Sequence, residues 1–325
     1  MIWLVGDPND LCGAYLAWLA RRRGVEVLEL AEDRLGVDWS FELRHDPGLA
    51  QAPSVRVAAD GHEVQVHHVS GVVVRLNPAP MSPVALDGIT DEELAGVLAP
   101  ERRAGLQHLV DAVSFPVANR TSCGRSNAAK PTHMRRLAAA GFTVPEWIVT
   151  NDVDRANLFV SSWPSGAVVK AASGLRSRVR RWTNVTAAAF AAGTAPHVVQ
   201  RYIPGSDVRV HVVGDTYFAT RVHTDATDYR FEGTGTRYEP CEPPAGVAAL
   251  SVAHARDEGL LIAGLDFRVD DGRWWCLEMN PVPTFLPYEA GTGQAIGDAL
   301  IDLLAPGTSS PDDSSPLAAA MFPQS

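Results

Sequence analysis

Lysine is nearly missing from this chain: among 28 basic residues only Lys130 and Lys170 are lysines, against 26 arginines. A chain that uses arginine almost everywhere keeps lysine where a compact ammonium on a flexible stem does something a planar guanidinium does not. Codon bias with two chance survivors is the plain alternative. Positive charge is short overall, and a net charge of −10 argues against a general affinity for nucleic acid or anionic membrane, while permitting a local basic pocket. The four cysteines, Cys12, Cys123, Cys241 and Cys276, are far apart and form no CxxC pair, so neither a zinc site nor a disulfide framework is expected. No apolar run approaches the roughly 18 residues of a membrane span. The apolar start, residues 1–5, is too short for a signal peptide and lacks a basic leader. A cytoplasmic protein with small-molecule or protein partners follows.

What is present is ordinary globular composition, 46% hydrophobic and 20% charged, in a 325-residue chain with room for two or three domains. Residues 2–5, 11–23 and 25–30 read as strand, helix and strand, a β-α-β opening that implies a parallel sheet. A glycine-rich dinucleotide fingerprint is absent after the first strand. Strands are expected at 54–58 and 63–69 around Asp60-Gly61, and at 71–76. His62, His67 and His68 lack a carboxylate or cysteine at ligand spacing and read as surface or core histidines. A capping box at Thr90 to Glu93 opens a helix that runs on over 101–113, and residues 115–119 return to the sheet. Residues 1–120 thus read as a compact α/β domain without chemistry of its own.

Further along, helices are expected over 127–140, 153–161, 245–258 and 292–304. Strands are expected at 146–150, 167–171 and 197–203, with a hairpin of 206–213 and 216–223. The run from Ser173 to Arg181, with Arg176, Arg178, Arg180 and Arg181, is a loop able to close over phosphates or simply a solvated basic hairpin. Residues 224–240 read as a mobile loop, and 306–325, rich in Ser, Pro, Asp and Ala, as a disordered tail.

The most informative stretch is residues 264–281. Two β-prone runs flank Asp270-Asp271-Gly272, a strong hairpin signal. Glu278 and Asn280 share a strand face, and Asp266 sits where it can join them. Three oxygen donors at this spacing suit magnesium, which is usually held by one or two carboxylates plus substrate phosphates. The alternative is a hairpin whose carboxylates are merely solvated.

Four pieces stand in one order: Ser126-Asn-Ala-Ala-Lys130-Pro with Ala140-Gly-Phe-Thr-Val-Pro145, Val168-Val-Lys170-Ala-Ala-Ser-Gly, Gln200-Arg-Tyr-Ile203-Pro-Gly-Ser-Asp207-Val-Arg209, and Leu277-Glu278-Met-Asn280-Pro. This succession resembles the ATP-grasp superfamily, in particular the RimK-type and graspetide-synthetase ligases, over about residues 119–304. The resemblance implies an α/β (α+β) chain with an N-terminal α/β pre-ATP-grasp domain at 1–120, an ATP-grasp domain at 121–305 and a tail at 306–325. It implies that Lys130 and Lys170 reach the phosphates of ATP, that Gln200, Arg201, Tyr202 and Ile203 form the adenine hinge, and that Asp207 holds the ribose hydroxyls. Arg209 would sit at the transferred phosphate, Arg176 and Arg178 in the covering loop, and Asp266, Glu278 and Asn280 on Mg2+. Arg221 and Arg230 fall where the family places substrate contacts, with an ordinary surface arginine as the equal alternative. The loop after Lys170 departs from the family in having fewer glycines and more arginines.

The activity so implied is a carboxylate-amine ligase that works through an acyl phosphate and releases ADP. A kinase that stops at phosphorylation, and a nucleotide-binding regulatory protein without turnover, are the competing readings. The partner implied is a small-molecule, peptide or protein carboxylate, not nucleic acid or membrane, with a homo-oligomer left open.

Overall fold

The β-α-β opening forms as the pattern predicts. In this computed structural model, which describes residues 1–45, 53–76, 92–173, 179–193, 195–224 and 235–308, β1 (Ile2–Gly6), α1 (Leu11–Arg22) and β2 (Val27–Ala31) lead into a parallel sheet. Asp10 starts α1 by accepting the Gly13 N–H on its carboxylate. Next come β3 (Trp39–Arg44), β4 (Ser54–Ala59) and β5 (His62–Glu63), a separate antiparallel sheet in the order β3-β4-β5. The expectations left out β3, and the second arm of the expected 54–69 hairpin shrinks to two residues before a 3-10 turn over Val66–His68. β6 (Gly71–Arg75), buried along its whole length, α2 (Glu92–Ala112) and β7 (Val117–Ala118) complete the parallel sheet in the order β2-β1-β6-β7. The capping residue Thr90 lies outside the described residues.

The middle of the chain supplies α3 (Lys130–Ala139), β8 (Trp147–Thr150), α4 (Val153–Ser161), β9 (Ala167–Ala171), β10 (Arg180–Arg181), α5 (Asn184–Ala192) and β11 (His197–Arg201). Its strands form an antiparallel sheet in the order β10-β9-β11-β8. Alternate residues divide its two faces: Ala167 and Val199 join Ala156 and Phe190 in a small core beneath the helices. Lys170 and Gln200 therefore share the opposite face.

The third sheet holds β12 (Ser206–Val213), β13 (Thr216–His223), β14 (Arg237–Pro240), then, after α6 (Ala245–Asp257), β15 (Ile262–Asp270) and β16 (Arg273–Asn280), in the order β14-β13-β12-β15-β16. Residues 237–240, expected in a loop, are thus an edge strand held by pairing to β13. The helix expected over 292–304 begins at Ile296 as α8 (Ile296–Leu304), after an unexpected α7 (Leu286–Thr292) that Gly293 ends by turning left-handed at φ 72°. Residues 309–325, expected to be disordered, fall outside the described residues.

A β-bulge decides what this sheet presents. From the Asp270↔Arg273 turn the pairing runs regularly to Phe267↔Cys276, then slips by one so that Asp266 faces Glu278 and Gly264 faces Asn280. The extra residue, Leu277, reverses the pleat of β16. Cys276 and Met279 consequently join the apolar face with Val208, Val210, Val212, Leu265 and Phe267, while Glu278 and Asn280 turn to the face of Asp207, Arg209, Asp266 and Arg268. Without the bulge Asp266 would face Leu277.

Candidate functional site

Arg209 lies at the centre of the charged face. Only 5% exposed, its Nη1 donates to Asp266 Oδ1 at 2.7 Å across the β12–β15 ladder. Its guanidinium lies over Gly264, where a Cβ would stand 2.2 Å from Nη2, so a larger residue would push the guanidinium aside. Directly opposite Asp266 stands Glu278, half-buried, with no hydrogen bond or ion pair from its side chain to another described residue. Like charges directly opposite in a strand pair are destabilising, and one arginine between two carboxylates leaves negative charge in excess. Asn280 completes the row with an amide oxygen that accepts the Val282 N–H at 2.9 Å. Among the described residues no group of three or more His, Cys, Asp or Glu side chains forms a metal cage. Two carboxylates and an amide are instead the open, all-oxygen donor set that magnesium takes together with a nucleotide's phosphates, so the residues fit that ion.

The lysines approach from the other sheet and from α3. Lys170 is 8% exposed and its Nζ donates to Gln200 Oε1 at 2.9 Å, so the Gln200 amide holds the ammonium in place. Lys130 opens α3; its backbone N–H donates to Ala172 O and its Nζ to Ser173 O at 2.6 Å, immediately after β9. His133, one turn further on, ties this corner to the carboxylate strand. Its Nε2 accepts the Met279 N–H at 2.9 Å, which leaves Nδ1–H to donate to Ser126 Oγ, also at 2.9 Å. Burial pushes the His133 pKa down to about 4, helped by the charges of His254, Lys170, Arg136 and Lys130. His133 is thus a neutral bracket between Glu278 and Asn280, near both lysines.

The expected hinge is organised by an arginine that the sequence pattern does not single out. Arg268 donates to Ile203 O at 3.1 Å, to Asp207 Oδ2 at 2.8 Å and to Tyr202 Oη at 3.1 Å. Tyr202 is also covered by the Arg181 guanidinium, 3.6 Å from its ring centroid. Arg201 points to the other side of β11 from Gln200. There it pairs with Glu146 at 3.2 Å and lies 4.7 Å from the Trp163 ring and 5.0 Å from that of Trp275.

Arg221 does not join the site. The β12–β13 register sets it opposite Val208 and the β13–β14 register opposite Glu239, so it belongs to the apolar side of the sheet, away from Arg209; strand parity overrules the expectation. Arg176, Arg178 and Arg230 lie outside the described residues. Residues to which the sequence reading gave no role, Gly264, His133, His211 and Arg268, complete the geometry. A signal for Gly264 existed: a glycine inside a strand pattern marks a close approach.

No protein-family model matches this chain, and no curated protein matches it by sequence. Solved structures do. The ATP-grasp ligase PsnB, complexed with a minimal precursor, superposes with a TM-score of 0.74 at 26% identity, over 93% of this chain and 98% of its own. The chain has the ATP-grasp fold. Other solved structures agree in fold: the macrocyclase MdnC from Microcystis aeruginosa, bound with precursor peptide MdnA, matches at TM-score 0.74 and 16% identity over 94% of this chain and 99% of its own. A RimK domain ATP-grasp protein from Sphaerobacter thermophilus matches at 0.58 and 18% over 94% and 99%. The ATP-grasp resemblance read from Lys130, Lys170, Arg209 and Glu278 is thereby met at the level of the whole chain.

Proposed function

We propose that this ATP-grasp chain is an ATP-dependent carboxylate-amine ligase that forms an amide bond on a peptide. The observation that carries the reading is the single charged row Arg209–Asp266–Glu278–Asn280, with the only two lysines of the chain brought toward it through α3 and β9. In support, PsnB, similar over nearly its whole length, is an ATP-grasp ligase complexed with a precursor, and is known also with Mg and ADP.

On this reading Lys130 and Lys170 hold the phosphates of ATP, residues 200–203 border the adenine, and Asp207, oriented by Arg268, meets the ribose. Asp266, Glu278 and Asn280 would hold magnesium, which neutralises phosphate charge and orients the terminal phosphate. A substrate carboxylate oxygen attacks the γ-phosphorus and ADP leaves. An amine then attacks the acyl carbon, loses its proton, and phosphate departs. Arg209 stabilises charge on the transferring phosphoryl group; alignment and charge neutralisation are most of what such a transfer asks of a protein.

The division into an N-terminal domain to about residue 120 and an ATP-grasp domain beyond it is part of the proposal. So is a cytoplasmic setting, where ATP is abundant and the four free cysteines stay reduced, without nucleic-acid or membrane partners. No described helix is long and apolar enough to cross a membrane. The reading is tested by incubation with ATP, Mg2+, hydroxylamine and a panel of glutamate, aspartate and acidic peptides. A ligase yields a hydroxamate with ADP. A stable phosphorylated product without hydroxamate would make it a kinase, and AMP with pyrophosphate would overturn the mechanism.

A further inference from the structure

The chain just beyond Asn280 is anchored to an unusual degree. Residues 281–284 read Pro-Val-Pro-Thr, so φ is restricted at two of four positions. Three of the four carbonyls are held by side chains from three other elements. Pro281 O accepts from Asn119 Nδ2, which also donates to Ile262 O. Pro283 O accepts from Arg75 Nη1 at 2.8 Å, and Thr284 O meets His211 Nε2 at 3.1 Å. All three side chains are buried, at 4%, 8% and 0% exposure. Burial pushes the His211 pKa well below the usual histidine range, and its Nε2 also lies 3.4 Å from Arg209 Nε.

Arg75 comes from the last position of β6 in the N-terminal parallel sheet. Its Nε and Nη2 are spent on Asp10, at 2.8 and 2.9 Å, and the bidentate pair aims Nη1 at Pro283. The strap so held meets the Asn280 side chain through one bond: Val282 N–H to Asn280 Oδ1. That bond takes one lone pair of the amide oxygen and leaves the other. The direction in which Asn280 offers its remaining lone pair is therefore fixed by a backbone that Arg75 fixes.

We propose that Arg75 is a positioning residue for cation binding: with Asp10 it sets, from the N-terminal domain, the strap that orients Asn280, and so the divalent-cation affinity of Asp266, Glu278 and Asn280. This rests on the reading of that trio as the cation site, and it gives the N-terminal domain a part in the chemistry that its sequence does not announce. Partners that orient a ligand side chain typically change metal affinity by roughly 10- to 100-fold.

The test is Mn2+ binding to the full chain with a non-hydrolysable ATP analogue, read from loss of the free-ion electron paramagnetic resonance signal. Arg75→Lys retains a charge for Asp10 but cannot span both Asp10 and Pro283 O; it should weaken Mn2+ by about 10-fold while affinity for the metal-free analogue holds. Val282→Pro removes the N–H that holds Asn280 and stiffens the strap further, with the side chains of Arg75 and Asp10 unchanged; it should weaken Mn2+ by a similar factor, whatever the fate of the arginine variant. Glu278→Gln is the reference that must lose Mn2+. Parent Mn2+ affinity in folded Arg75→Lys and in Val282→Pro, with Glu278→Gln impaired, would make the strap simple domain glue. Parent affinity in Glu278→Gln would remove the cation reading itself, and the strap's role with it.

Discussion

The two faces of the five-stranded sheet are made from the same strands and have opposite characters. One carries Val208, Val210, Val212, Leu265, Phe267, Cys276 and Met279, packed against Leu137, Phe142 and Ala255. The other carries Asp207, Arg209, Asp266, Arg268, Glu278 and Asn280, joined in ion pairs or left half-buried. Alternation along a strand lets one segment serve stability and chemistry at once, provided that register is kept. The Leu277 bulge is where the two demands are reconciled: it returns Met279 to the core and delivers Glu278 to Asp266.

Substitutions on either side should separate these roles. The largest effect is expected on the apolar face. Phe267 is 2% exposed and meets the Trp274 and Phe142 rings, so Phe267→Ala should cost about 3 to 5 kcal/mol in urea unfolding. ATP-analogue affinity of the molecules that remain folded should be retained. A variant of parent stability that fails to bind would reverse the assignment of faces.

Next comes His133, the bracket between the faces. Its pKa falls from an ordinary 6.5 to about 4 in the fold, so the unfolded chain binds a proton that the native one refuses. The stability this neutral histidine contributes is complete above pH 6.5 and is lost as pH falls from 6.5 toward 4. Between pH 7 and pH 5 the loss is about 2 kcal/mol from this group. Unfolding curves for His133→Gln at the two pH values should show a pH dependence smaller by that amount. An unchanged slope would mean that His133 is protonated in the fold.

On the charged side, Lys130→Met and Lys170→Met should each leave the fold intact and weaken ATP-analogue binding by about 1.5 to 3 kcal/mol, roughly ten-fold or more by calorimetry. Unchanged affinity in both would undo the nucleotide assignment. The smallest effect is the sharpest check on strand parity: Arg221→Ala, exposed on the far side from Arg209, should change stability by less than about 0.5 kcal/mol and leave ATP-analogue affinity at the parent value. A ten-fold loss would put Arg221 in the site after all.

How much of this was legible in the sequence follows the range of the forces involved. Hairpins over Gly214-Asp215 and Asp270 to Gly272 are local, and both form as read. The lysine scarcity marked Lys130, three residues before the His133 whose ring holds Met279 in the Glu278-Met-Asn280-Pro run. What was hidden is non-local. The bulge follows from packing Met279 inward, the pairing of Asp207 with Arg268 from ladder register, and the grip of Arg75 on Pro283 from the docking of an N-terminal sheet 208 residues away in sequence. Arg221 was misplaced because order along a chain says nothing of which way a strand residue turns. β3 is the exception: Trp39-Ser-Phe-Glu-Leu-Arg44 alternates apolar and polar residues, a local strand signal that the expectations left out.

The central claim is that the terminal phosphate of ATP is transferred to a carboxylate, which an amine then displaces. It is tested most directly by isotope transfer. With an acid from the hydroxamate panel labelled with 18O in its carboxyl group, mass spectrometry of the released inorganic phosphate should find one carboxyl oxygen per amide formed, because the C–O bond breaks when the amine attacks. Phosphate free of label, alongside amide product, would contradict the account.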